Sequence, residues 1–151
     1  MKLGIRVNER TPKTIDLDFE GYCSEDELPP SNHDCPGIYV VYAGECKSEE
    51  KCSLRKILYI GRSGDVAGRP NSSHHKYKDW HKELNYNESL LFSFADTDDE
   101  KRAEAALIFE MKPICNDTGK DGFHYPDTKI KTSGANEYLI KLFTVYNTDN
   151  D

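Results

Sequence analysis

Tyr39, Tyr59, Arg69 and Glu104 are the side chains whose types and spacing could do chemistry. A guanidinium grips phosphate through two parallel hydrogen bonds and keeps its charge at any working pH. A carboxylate at the margin of a buried face is able to hold a divalent cation. A phenol is a weaker instrument, ionised in only about one molecule in a thousand at neutral pH unless nearby cations favour the phenolate. Gathered in one place, such groups could grip and hydrolyse a phosphodiester bond.

The elements that must gather them are legible in outline. Gly37 to Ala43 and Lys56 to Gly61 are rich in β-branched and aromatic residues, with a polar stretch from Gly44 to Arg55 between them, and read as an antiparallel hairpin. In that pairing the start of the first strand lies beside the end of the second, so Tyr39 and Tyr59 meet at the open end. They are either ordinary sheet tyrosines or a polar corner on one face. Arg69 follows Gly61 after a turn at Arg62-Ser63-Gly64 and a helix N-cap at Asp65, which would return its guanidinium over the strand end. Asp98 to Met111 reads as a helix with acids in its first turn and Pro113 just beyond its end. Glu104 shares a face with Leu107 and Ile108, whereas Glu110 faces solvent. Glu104 is therefore either a satisfied core acid or a cation holder.

In this order the residues resemble the GIY-YIG nucleases, a family that includes the UvrC amino-terminal domain, homing endonucleases and restriction enzymes. Gly37-Ile38-Tyr39, Tyr59-Ile60-Gly61, Arg69, Glu104 and a closing Lys112-Pro113-Ile114-Cys115-Asn116 carry the resemblance, over roughly residues 35 to 117. It implies a metal-dependent endonuclease acting on DNA, with the choice between DNA and RNA left open. Tyr39 would help deprotonate the attacking water, with Tyr59 in the same cluster, and Arg69 would neutralise the phosphate. Glu104 would hold one Mg²⁺ or Mn²⁺, and Asn116 would brace the site. The family histidine one turn past the arginine is replaced here by Ser73. Arg69-Pro70 disturbs the helical register, so His74 or His75 is an auxiliary candidate for that place. The alternative function is a non-catalytic module of the same fold that binds nucleic acid or protein.

Net charge is −7 but unevenly placed: residues 1 to 50 carry −6, residues 51 to 83 carry +5 and residues 84 to 151 carry −6. The basic segment contains Arg69 and supplies Arg62, Lys76 and Lys78 as candidate nucleic-acid contacts. So narrow a strip implies weak non-specific affinity with a steep salt dependence. Sequence preference would come from the termini, the long hairpin connection or a partner protein.

A chain of 151 residues with 36% hydrophobic and 31% charged content fits one soluble domain. Its parts are an amino-terminal β extension (1–34), a catalytic core (35–117) and a carboxy-terminal extension (118–151). No apolar run reaches membrane length and no secretory signal opens the chain, so no membrane partner and a cytoplasmic location are expected. Five cysteines point to a reducing compartment rather than a disulfide framework. Cys23, His33, Cys35, Cys46 and Cys52 lie close enough to raise a zinc-stabilised alternative, without any Cys-x-x-Cys pair. The expected fold is α+β, a small central three-stranded antiparallel sheet flanked by helices. Thr14 to Glu20 and Leu3 to Val7 would be strands of the extension and Ser89 to Ala95 the third core strand. Trp80 is read as a core anchor.

Overall fold

The computed structural model describes residues 11–27, 35–48, 51–64 and 70–149. Six strands form one sheet: β1 (Lys13–Ser24), β2 (Gly37–Ser48), β3 (Lys51–Ser63), β4 (Ser89–Asp96), β5 (Thr128–Gly134) and β6 (Leu142–Val145), in the order β3-β2-β4-β1-β5-β6. The described helices are α1 (Tyr77–Lys82) and α2 (Glu100–Met111), with a single 3-10 turn at Glu25–Glu27. The expectation of a small three-stranded sheet flanked by helices is therefore corrected. The predicted strands do lie side by side as β3, β2 and β4, but the sheet continues through β1, β5 and β6.

Physical reasons for the larger sheet are visible residue by residue. In β1, Ile15, Leu17 and Phe19 are buried while Asp16 and Asp18 are exposed, the alternation of a strand buried on one face. This strand pairs antiparallel with β4 and parallel with β5, so the amino-terminal segment sits inside the sheet rather than beside it. β5 carries its buried alternation as Thr128, Ile130 and Thr132, a pattern too weak in hydrophobicity to mark a strand by composition. The predicted strand at Leu3 to Val7 lies outside the described residues, as does the helix N-cap at Asp65.

A second correction concerns the polar connection from Gly44 to Arg55. Most of it is strand: Gly44 pairs with Leu54, Glu45 with Ser53 and Cys46 with Cys52, and the last pair is joined by a disulfide. The reading of this stretch as a loop, and of the cysteines as a set without disulfides, gives way to a long hairpin linked near its tip. Past Gly44 the side chains of β2 are mostly exposed, so polar residues suit them, and backbone pairing with β3 keeps the stretch extended. Cys23, Cys35 and Cys115 are free thiols. Among the described residues no helix is long and apolar enough to cross a membrane.

β2 is buried from Gly37 to Gly44 because it is central in its part of the sheet and covered on both faces. Ile38, Val40 and Tyr42 point into a cluster with Ala103, Ala106, Leu107 and Ile108 of α2. Tyr39, Val41 and Ala43 point into the other, with Trp80 of α1, Leu58, Phe92 and Cys115. Trp80 is fully buried, as expected of a core anchor. The polypeptide after α2 joins the two layers. Lys112 takes a left-handed conformation, and the following residues run along the outer edge of β3, where Cys115 N–H donates to the Leu58 carbonyl at 2.9 Å.

At Gly37 β2 runs close against β4: a Cβ there would stand 2.4 Å from the Ala95 carbonyl oxygen. Gly37→Ala is expected to force the strands apart and to destabilise the fold by about 1–3 kcal/mol, read from the urea midpoint. An unchanged midpoint would contradict this packing.

Candidate active site

Tyr39 and Tyr59 converge as the hairpin reading requires. Tyr39 pairs across with Gly61 and Tyr59 with Val41, which sets the two phenols diagonally on one face with ring centroids 6.2 Å apart. Room for this comes from Gly61, where a Cβ would stand 2.4 Å from both Cζ and Oη of Tyr39. The Tyr39 ring thus lies across the backbone of the neighbouring strand, and it is itself 2% exposed.

His74, one of the two auxiliary candidates, belongs to this cluster. Its Nε2 lies 3.0 Å from the Tyr39 hydroxyl, and its ring packs against Tyr59 at 5.4 Å and Trp80 at 4.7 Å. The Lys76 backbone N–H donates to His74 Nδ1 at 3.0 Å. An Nδ1 that accepts carries no proton, so the neutral ring holds its proton on Nε2 and donates it to Tyr39. Burial, reinforced by the charges of His75 and Lys76, pushes the His74 pKa down to about 4 and keeps the ring neutral. His75 is exposed and stacks on His74 at 4.6 Å.

Glu104 comes from the opposite layer and reaches the end of β3 at Arg62. Its carboxylate accepts from Arg62 Nε at 3.3 Å, and it is half-buried while Glu110 is exposed. Burial raises the Glu104 pKa even though Arg62 pulls it down. Burial is also the main reason that both phenols are raised above the ordinary tyrosine value; Glu104 adds repulsion to each, and Arg62 offsets part of it. Arg62, next to Gly61 on β3, brings Glu104 to the end of the strand that Tyr39 crosses.

Asn116 braces this locale in a specific way. Its side chain accepts from the Ile60 N–H at 3.0 Å and donates to the Ile60 carbonyl at 2.9 Å, standing in for a strand partner on the free edge of β3. Arg69 lies outside the described residues.

The basic candidates are placed differently from a bare cationic strip. Lys76 is held by Asp117 and lies 3.4 Å from Asp79, and Arg62 is spoken for by Glu104. Arg55 and Lys56 are similarly paired with Glu88 and Glu83. Lys78 is exposed. Asp117 and Trp80 therefore shape the site although sequence reasoning gave neither a role there. Asp117 follows directly on the closing asparagine, and that adjacency was the only signal available.

Among the described residues there is no group of three or more His, Cys, Asp or Glu able to hold a metal. A divalent ion at this locale would rest on Glu104, substrate oxygens and water, a ligand set that suits magnesium. A half-buried carboxylate whose charge Arg62 compensates only in part fits an added cation. Comparison of the chain with protein-family models, with curated proteins and with solved structures found no match.

Two measurements check the geometry. Asn116→Ala leaves the Ile60 N–H and carbonyl unpaired on a buried edge, and is expected to cost about 2 kcal/mol or more in chemical denaturation. His74 should titrate near its depressed value of about 4 rather than 6.5, read by NMR or by the fluorescence of the single tryptophan it touches. Since the unfolded chain binds that proton first, the contribution of neutral His74 to stability is complete above about pH 6.5 and is lost as pH falls toward 4. A His74→Gln variant should show a flatter stability profile across that interval.

Proposed function

We propose that this chain is a metal-dependent endonuclease that hydrolyses phosphodiester bonds in DNA, with a site of the GIY-YIG kind. The observation that carries the reading is the 3.0 Å contact between His74 Nε2 and the Tyr39 hydroxyl, beside Tyr59 and within the electrostatic reach of Glu104. The ordered recurrence of the two tripeptides, the helix glutamate and the closing asparagine supports it further.

On this reading Tyr39 handles the proton of the attacking water. A solitary buried phenol is a poor base, but an oxygen that already receives the Nε2 proton of His74 is better able to carry negative charge. His74 is thus a positioning residue for Tyr39, and Lys76 holds it in the right tautomer through its backbone. Tyr59 completes the wall behind the nucleophile. Arg69 is assigned the phosphate, where its fixed charge would oppose the charge that builds during attack. Magnesium or manganese at Glu104 would supply Lewis-acid stabilisation to the phosphate and offset the repulsion that Glu104 exerts on both phenols.

A module that binds without cutting is the second reading. The upward shift of the Tyr39 pKa favours it, because that phenol holds its proton in the absence of compensating charge. Supercoiled plasmid and branched DNA incubated with Mg²⁺ or Mn²⁺ separate the two. Nicking by the wild type should fall at least about a hundredfold in Tyr39→Phe, Glu104→Ala and Arg69→Ala. Equal nicking by all four proteins, or binding with no nicking at all, would rule out the enzyme.

A further inference from the structure

Tyr86 stands at the tip of the turn between α1 and β4, between the exposed Asn85 and Asn87, and is 99% exposed. A large aromatic left so fully in water contributes nothing to the core. Its turn is nevertheless held firmly. Arg55 donates from Nε to Glu88 Oε2 at 2.7 Å and from Nη2 to Glu88 Oε1 at 2.7 Å, and the same Nη2 reaches the Glu83 carbonyl at 2.6 Å. Asn85 N–H donates to Glu88 Oε1 at 2.8 Å, and Glu88 N–H returns to the Asn85 carbonyl at 3.0 Å. A bidentate charged pair that joins β3 to both ends of a short turn fixes the backbone that carries the ring before any partner arrives, which lowers the ordering cost of using it.

The placement relates this turn to the site. Both hang on β3: Arg55 lies four residues before Tyr59 and six before Gly61, across which Tyr39 lies, so the turn is anchored about 13 Å along the strand from one phenol and about 20 Å from the other at roughly 3.3 Å per residue. Those spans correspond to about four to six nucleotides of a DNA strand at roughly 3.4 Å per step.

We propose that Tyr86 is a stacking platform for an unpaired base of a DNA strand held in the site, with Asn85 and Asn87 beside it to meet the edge of that base. This rests on the nuclease reading and deepens it by naming a substrate class: DNA in which a base near the cut lies outside the helix. An aromatic face matches the face of a base, which is open only where stacking is broken, and paired donor and acceptor groups of asparagine suit base edges.

Two hairpin DNAs test it, one with 2-aminopurine as an extrahelical base and one with the same base paired, each titrated with the protein in EDTA so that no strand is cut. Wild type should bind the extrahelical probe more tightly and quench its fluorescence. Tyr86→Ala should bind it about tenfold more weakly without quenching, and Tyr86→Trp should recover both. Because the ring is fully exposed, its removal takes away no packing, and circular dichroism should be unchanged. Equal affinity and quenching by Tyr86→Ala, with plasmid still cut by wild type in Mg²⁺, overturns the role of Tyr86 and leaves the enzyme standing. A wild type that neither binds nor cuts any of these DNAs overturns the enzyme and this role together.

Discussion

No side-chain atom fits between the ring of Tyr39 and the backbone at residue 61. That exclusion holds the candidate site in place: the phenol crosses the neighbouring strand where glycine leaves room, and its hydroxyl emerges beside His74 at the sheet edge. The edge itself is closed by the amide of Asn116, which satisfies both polar groups of Ile60. Remove the glycine and the ring must leave; remove the asparagine and the strand beneath it loses its partner. The two glycines of the paired tripeptides thus have separate physical duties, Gly61 beneath a side chain and Gly37 against a carbonyl of β4.

Around this edge the charges are arranged to cancel. Arg62 faces Glu104, Lys76 is held by Asp117, and Arg55 and Lys56 each have a carboxylate partner. Such pairs add little stability at a surface. They do set orientation: Lys76 is placed so that its backbone fixes the His74 tautomer, and Arg55 so that it clamps the turn bearing Tyr86. The cost falls on the phenols, which sit in a poorly solvated place beside a carboxylate and hold their protons strongly. Ionisation of either phenol at such a site needs added positive charge nearby.

Several elements were legible because their signals are local. The apolar run of β2, the acids and the proline that bracket α2, and the tyrosines at matching hairpin positions all follow from composition and period over a few residues. The half-buried position of Glu104 and the solvated one of Glu110 follow from helical geometry alone. The extent of the sheet was not legible. β1 finds β5 more than a hundred residues away in parallel register, and β5 hides its buried face behind threonines. The polar hairpin connection misled for a related reason: Glu45, Ser53 and their neighbours look like loop residues until cross-strand pairing and the Cys46–Cys52 bond recruit them.

The amino-acid sequence by itself determined which groups are present, which of them share a strand or a helix face, and that two glycines flank the tyrosine pair. Only the tertiary structure decided that His74 meets Tyr39, that Asn116 seals the edge of β3, and that Arg55, Lys56, Arg62 and Lys76 are matched to acids. Neighbours along the chain are constrained by backbone period. Contacts between a turn, a sheet edge and a helix on the opposite layer depend on how the whole sheet closes, and no short stretch of residues carries that information.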